Sequence, residues 1–581
     1  MLMSILSRLI GRINLYSLVI LSLFIIFLLN MQPVKQVLQN NYFIYEQDAY
    51  MHLEIASNLL ENPTWFNHYN PRLNAPWGTS SHAWTMPITA LLVSGAWLFS
   101  SFLPSASALY LWAFFLPVLF YALAAWAMLW SIEELQPSFR QKCFVLLAFL
   151  LNPFMNSFFL ALRVDYDFFL IFLSIVYWGY LLRLIRNDNN FLAVKAAVIA
   201  SLAMWTSLSF SLPLFIGLAF LLWASLVQKN LNGKTVLIFL FAISLCLLII
   251  IPLEQQPVFN ITHDIVSIVH LLFFLLLTLA LAAYLLFFQN KTFGLQLLFF
   301  TITICFIFAT ENALFPGFFL GPYNQIDGYL LQHFFPNLSE FYSPFNISPS
   351  LALSILCQFI LGAGYCYYSY LNHELNRYTL FIFWSALGTT LLTCYMYRWI
   401  EFAVPVNILL LSFLIKDLNN VPTLLKNTLV IFIALLPAFI LAIAPNFVSV
   451  DKQICEKQFY RMLQQGFLNQ AQFNQNKILF AHSNFGPLLL YYTKYSIVGT
   501  NDHQNPQGLK DSIRFYHSDA DTARDILLKR NVDMVLLCPS GYPTHFNPDQ
   551  TTWLKSMALP HEYSAWRLYE LKTTPHFSAS P

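Results

Sequence analysis

The chain has 581 residues, 58% of them apolar and only 10% charged, against roughly 45–50% and 25% in a soluble globular protein. Of its 30 basic and 28 acidic side chains, 24 follow position 450, so the first 450 residues carry too few charges to cover a water-facing surface. A net charge of +2 leaves no basic stripe for neutralising phosphates, which excludes a nucleic-acid binder. The composition describes a polytopic membrane protein with a polar C-terminal tail.

Arg8 and Arg12 precede a long apolar run with no small-residue cleavage site after it, which reads as a retained anchor spanning about 14–31. Later runs of membrane length lie near 107–130, 143–162, 168–182, 194–208, 211–227, 235–252, 265–288, 294–309, 350–370, 378–394, 399–415 and 428–445. About thirteen transmembrane helices are therefore expected. Lys and Arg fall in every second gap: Arg140 and Lys142, Arg183 and Arg186, Lys229 and Lys234, Lys291, Arg377, then Lys416 and Lys426. By the positive-inside rule the N-terminus is cytoplasmic. The loops at 32–106, 163–167, 253–264 and 310–349, and everything after 446, then face outward. An apolar stretch at 86–103 would upset this alternation if it crossed, so it is expected as an amphipathic or re-entrant helix within the first outer loop.

Residues 1–446 thus form an all-α membrane domain, and 447–581 a soluble α/β domain on the outer side. In the tail, the short apolar runs KILFA, YSIVGT and DMVLLCP alternate with the helical pattern DADTARDILLKRN, where Asp519 or Asp521 is placed to cap the start. Six of the eight cysteines sit in or beside spans as small apolar residues. Cys455 and Cys538 stand in the tail, either bridged or as two free thiols. There is no CxxC pair and hence no expected zinc or iron–sulfur site.

Acids mark the outer ends of several spans. Asp48 follows the first span in YEQDAYMHLEIA, Asp165 and Asp167 occupy the short turn LRVDYDFFLIF, and Glu340 lies late in the 310–349 loop. Acids at membrane depth are costly and usually functional; the competing role is a solvated loop residue or helix cap. Carboxylates converging on one side repel unless a divalent cation holds them, and an oxygen-only set suits Mg²⁺ or Mn²⁺. Arg398, at the outer end of a span, is placed to grip a phosphate or to pair with Glu401. Arg163 is placed to contact the same donor or to pair with Asp165. His82 and His503 are weaker candidates on the outer side.

In these residues the chain resembles the GT-C glycosyltransferases, most closely the PglB-type single-subunit oligosaccharyltransferases and the catalytic subunit of the eukaryotic complex. That family has thirteen spans, a long first outer loop and an outer C-terminal domain. Its Asp after the first span is similar to Asp48, its D-x-D pair to Asp165 with Asp167, and its Glu late in the fifth outer loop to Glu340 in NLSE. RWIEFAVP, Arg398–Pro405, resembles the segment whose Arg faces the lipid-linked phosphate, and PWGTSSHAWTMP resembles a run in the family's first outer loop. The resemblance implies that Asp48, Asp165 and Glu340 touch the metal, with Asp167 assisting.

One element departs from the pattern. Where the family has the W-W-D-Y-G motif that binds the acceptor Ser or Thr, this chain has HSNFG, with Asn484 the polar group present. The expected function is transfer of a sugar or oligosaccharide from a polyprenyl phosphate or pyrophosphate to a glycan, lipid or protein acceptor, at the outer face of a bacterial inner membrane. Two alternatives stand beside it: a true protein N-oligosaccharyltransferase, and a transporter or flippase of lipid-linked glycans.

Overall fold

The computed structural model describes residues 26, 46–66, 69–80, 85–229, 231–255, 257–321, 326–417, 423–442, 450–470 and 477–572. The first expected span and His82 lie outside these residues, apart from Ile26. Among the described residues nine helices are long and apolar enough to cross a bilayer, from Ser105–Leu135 to Tyr397–Lys416. The other expected spans among the described residues are two further helices, of 17 and 20 residues, and one broken stretch. Asn190–Thr206 has 17 residues, and the last helix is Thr423–Ala442. The stretch expected as one helix over 143–162 is two, Phe139–Leu150 and Pro153–Phe158. The side chain of Asn152 accepts the N–H groups of Phe154 and Met155 at 3.0 and 3.3 Å, and Pro153 has no N–H to continue the earlier helix, so a new one starts there.

The apolar stretch in the first outer loop is the 14-residue helix Met86–Phe99, too short to span. Its start is tied down by Glu254, whose carboxylate accepts the N–H of Met86 at 3.2 Å and the indole N–H of Trp205 at 2.5 Å. Burial differs sharply among the spans. The hydrophobic windows of Tyr397–Lys416 and Asp167–Asn187 are 83% and 78% buried, whereas that of Phe293–Leu314 is 6% buried. These two most buried helices bear Arg398 and Asp167 at their N-terminal ends.

Two short strands, β1 Tyr69–Asn70 and β2 Thr79–Ser80, pair antiparallel, and the tail carries a five-stranded sheet in the order β4-β3-β5-β7-β6, with β3 Ile478–Phe480, β4 Ser496–Ile497, β5 Met534–Leu537, β6 Leu554–Met557 and β7 Arg567–Leu571. β3 runs parallel to β4 and β5, while β7 is antiparallel to β5 and β6. Helices Pro506–His517 and Ala520–Lys529 connect β4 to β5, the second capped by the Asp519 carboxylate on the Thr522 N–H at 2.8 Å. A disulfide joins Cys455 to Cys538.

The first outer loop docks on the exposed edge of β4. The Ile497 N–H donates to the Arg72 carbonyl at 2.7 Å and its carbonyl accepts from the Ala75 N–H at 2.9 Å, which pairs an otherwise open strand edge. Two arginines fasten this contact. Arg72 donates to Glu54 at 2.5 Å and to the carbonyls of Thr493 and Leu490 at 2.6 and 2.7 Å. Arg530 is fully buried, 2.7 Å from the Asp511 carboxylate, and donates to the Asn74 side chain at 2.7 Å and the Ala75 carbonyl at 3.1 Å.

Candidate active site

Three segments meet at the N-terminal ends of these two helices. Glu46 stands in extended backbone immediately before the helix Gln47–Glu61, and Asp48 lies in its first turn, where a negative charge complements the free N–H groups and the helix dipole. Asp165 sits in the tight turn ahead of the helix Asp167–Asn187 and accepts the Tyr166 N–H at 2.7 Å. The carboxylates of Glu46, Asp48 and Asp165 each place an oxygen within 4.8 Å of the other two.

Burial and mutual repulsion hold this group away from its ordinary ionisation. Burial pushes Asp48 and Asp165 well above the usual carboxylate range; Glu46 adds to this at Asp48, and Asp167 at Asp165. Glu46 is also raised by burial, against the opposing pull of Arg163. His52 places Nε2 3.9 Å from Asp165, but burial lowers its pKa to about 3, so it is uncharged there at neutral pH. An all-oxygen set of closely spaced acids, Asp165 buried and Glu46 and Asp48 half-buried, fits a hard divalent cation, whose charge would offset the repulsion.

Two arginines divide the surroundings. Arg163 lies 3.3 Å from both Glu46 and Asp167 and donates to the Ser157 carbonyl at 2.8 Å. It is thus engaged with the acids from both flanking segments. Arg398 lies 3.7 Å from Glu340, contacts the Tyr166 hydroxyl, and remains 23% exposed. Pairing with Glu401 is the alternative to a phosphate contact for Arg398; the ion pair given by the structure is with Glu340. Glu401, 1% exposed, instead has its carboxyl against Asp167. The 4.8 Å group therefore contains Asp48 and Asp165 from the expected metal set, with Glu46 beside them, while Glu340 stands with Arg398.

Sequence reasoning passed over Glu46, although the acid two residues before Asp48 in YEQD was a visible signal. Tyr166, between the two aspartates, was passed over as well. Of the acceptor-side candidates, His503 has Nε2 3.7 Å from Asp264. Asn484 lies in the turn Ser483–Phe485, its N–H donating to His482 Nδ1 at 3.3 Å and its side chain bonded to Tyr542 within the tail. Beside His503, the Asn501 side chain donates to the side chain of Gln47, the residue between Glu46 and Asp48. That contact brings the loop after β4 to the carboxylate group.

No protein-family model and no curated protein matches the chain. Solved structures do. The oligosaccharyltransferase AglB from Archaeoglobus fulgidus, solved with an inhibitory peptide and a dolichol-phosphate, superposes with a TM-score of 0.65 at 14% identity, over 90% of this chain and 69% of that one. The oligosaccharyltransferase from the same organism in complex with Zn and sulfate gives 0.60, also at 14% identity, over 90% and 67%. ArnT from Cupriavidus metallidurans, bound to undecaprenyl phosphate, matches 95% of this chain and 97% of its own at 13% identity and a TM-score of 0.50. At such identities the likeness is one of architecture, and the chain has the GT-C membrane fold shared by these proteins.

Proposed function

We propose that this protein is an integral membrane glycosyltransferase that moves a sugar or oligosaccharide from a polyprenyl phosphate or pyrophosphate to an acceptor. The reading places it in a bacterial inner membrane, with the N-terminus cytoplasmic and residues 447–581 as a periplasmic domain over the membrane domain 1–446. The observation that carries it is the convergence of Glu46, Asp48 and Asp165 within 4.8 Å, at the outer ends of helices whose neighbour Arg398 is partly exposed. The match to an enzyme solved with a dolichol-phosphate and to ArnT bound to undecaprenyl phosphate supports the lipid carrier.

In this reading Glu46, Asp48 and Asp165 hold Mg²⁺ or Mn²⁺, which when bound supplies Lewis-acid stabilisation of the departing phosphate. Arg398, freed from Glu340, donates to that phosphate from the membrane side. Arg163 fixes Glu46 and Asp167 in place. Asp48 orients the acceptor's nucleophilic group, or takes its proton if that group is a hydroxyl. A second reading, transfer to asparagine, is favoured by the A. fulgidus oligosaccharyltransferase tethered to a peptide containing the NVT sequon, which superposes with a TM-score of 0.63.

The test compares envelope glycolipids, polysaccharides and glycoproteins by mass spectrometry in cells with wild type, Asp165→Ala, or no gene, after confirming equal amounts of protein in the membrane. One modification absent from both the null and the Asp165→Ala cells is expected. A variant that keeps every modification lost in the null defeats the reading and favours a transporter. Glycosylation of a supplied Asn-x-Thr peptide would select the second reading.

A further inference from the structure

The loop between β4 and the helix Pro506–His517 carries two asparagines whose hydrogen bonds are incomplete among the described residues. Asn501 uses one side of its amide for Gln47, between two of the clustered acids. Its carbonyl oxygen Oδ1 is buried and has no hydrogen-bond partner among the described residues. Four residues on, Asn505 is 1% exposed; its Oδ1 accepts the Gly508 N–H at 3.2 Å while its Nδ2 is also without a partner among those residues. A buried polar group left unmade is destabilising, and a ligand is one partner that would complete the two in this loop.

The loop is also held rigidly. His503 lies 3.7 Å from Asp264, and Gln504 donates to the same carboxylate at 2.5 Å. Lys510, one turn into the following helix, is 3.0 Å from Asp327 of the long outer loop. β4 itself is fixed by the hydrogen bonds of Ile497 to Arg72 and Ala75. The Asn501 amide is therefore held next to Gln47 by a loop that four separate segments fix.

We propose that Asn501 accepts a hydrogen bond from the O–H or N–H group of the substrate that receives the sugar, and so selects that substrate. This rests on the transferase reading above and adds to it the side of approach. The carrier's phosphate is met by Arg398 at the end of a span, so the donor arrives from the bilayer. Asn501 belongs to the polar tail, the side from which a water-accessible acceptor comes. The group contacted is an O–H or N–H of the acceptor other than a hydroxyl whose proton Asp48 takes, because a bare anionic oxygen gives Asn501 Oδ1 nothing to accept.

Full-length protein in detergent, as wild type, Asn501→Ala and Gln47→Ala, is assayed for transfer with a fixed amount of donor. The acceptor probe is a solubilised envelope fraction from cells lacking the gene, which carries the unmodified acceptor. Asn501→Ala is expected to require roughly 3- to 10-fold more of this fraction for half-maximal transfer, the loss of one neutral hydrogen bond, with the maximal rate within about twofold. Gln47→Ala removes the tether but keeps the oxygen and shifts the requirement less. Lipid-linked sugar co-purifying with each protein stays at the wild-type level. Equal shifts in both variants reduce Asn501 to a structural tether, loss of co-purifying lipid-linked sugar gives its oxygen to the donor, and an unchanged requirement removes it from substrate binding; each overturns the proposal. Failure of wild type itself to transfer sugar to the fraction brings down the transferase reading, and this inference with it.

Discussion

Arg530 offers the sharpest test of how the tail is held over the membrane part. Its side chain is 0% exposed and lies 2.7 Å from the Asp511 carboxylate, itself 6% exposed. It also donates to Asn74 and Ala75 of the first outer loop and lies 4.4 Å from the centre of the Trp77 ring. Replacing it with Ala leaves the Asp511 carboxylate buried without its counter-charge, with only the Gln507 amide at 3.3 Å still donating to it. Removing one partner of such a pair typically costs about 3–5 kcal/mol, and the Asn74 and Ala75 oxygens lose their donor as well. Amides of β3, β5 and β7 that exchange through opening of the whole tail should then exchange roughly 10²- to 10³-fold faster, at about 1.4 kcal/mol per tenfold. The assay is hydrogen–deuterium exchange on the full chain in detergent, read on peptides covering 478–480, 534–537 and 567–571. The double variant Arg530→Ala/Asp511→Ala removes the stranded charge and should recover part of the loss, since coupled neighbours are not additive. Exchange within tenfold of wild type in Arg530→Ala, or a double variant worse than the sum of the singles, would refute the account of a buried ion pair clamping loop to sheet.

Three further outcomes are expected. His482 is held at a pKa of about 3 by burial, with Lys452 and His517 adding to the effect, against an ordinary value of 6.5. The unfolded chain therefore takes up a proton that the folded one refuses as pH falls from 6.5 toward 3, and stability drops over that window by roughly 2–3 kcal/mol at pH 4.5. Thermal unfolding at pH 7 and 4.5 should show this loss in wild type and a smaller one in His482→Gln; equal losses would remove His482 from the cause. The Cys455–Cys538 bridge closes a separation of 83 residues, for which chain entropy gives about 4–5 kcal/mol and measured cases about 2–5. Replacing both by Ser should lower the tail's unfolding midpoint in denaturant, and an unchanged midpoint would count against the bridge as a constraint. Mn²⁺ should raise the thermal stability of the wild-type protein, with roughly tenfold or more metal needed for the same shift in Glu46→Gln or Asp48→Asn. Identical Mn²⁺ titrations in wild type and both variants would mean that these carboxylates do not bind the ion.

What the sequence displays of this molecule and what it hides follow from how each feature is encoded. The spans were legible because membrane length and apolarity are local properties, and nine of them form continuous helices. The break at Asn152–Pro153 was legible in principle too, since an Asn before a Pro is a helix start, but hydropathy summed over 143–162 runs through it. Asp48 and Asp165 stood out because acids are few near span ends and fall on one predicted side. Side, however, is not distance. Glu46 shares the side with Glu340, and only the extended backbone before Gln47, together with Arg163 reaching back from the next turn at 3.3 Å, decides which acid joins the close group. Glu340 comes instead within 3.7 Å of Arg398. The tail was hidden further still. Arg72 and Arg530 are ordinary charges in the sequence, yet they help fix loop to sheet, and the meeting of Asn501 with Gln47, 454 positions apart, depends on such long-range contacts. A site assembled from helix ends and one docked loop is thus readable in its acids and unreadable in its partners. On the proposal made for Asn501, a residue that selects the acceptor is of the second kind, legible only once its neighbour Gln47 is known.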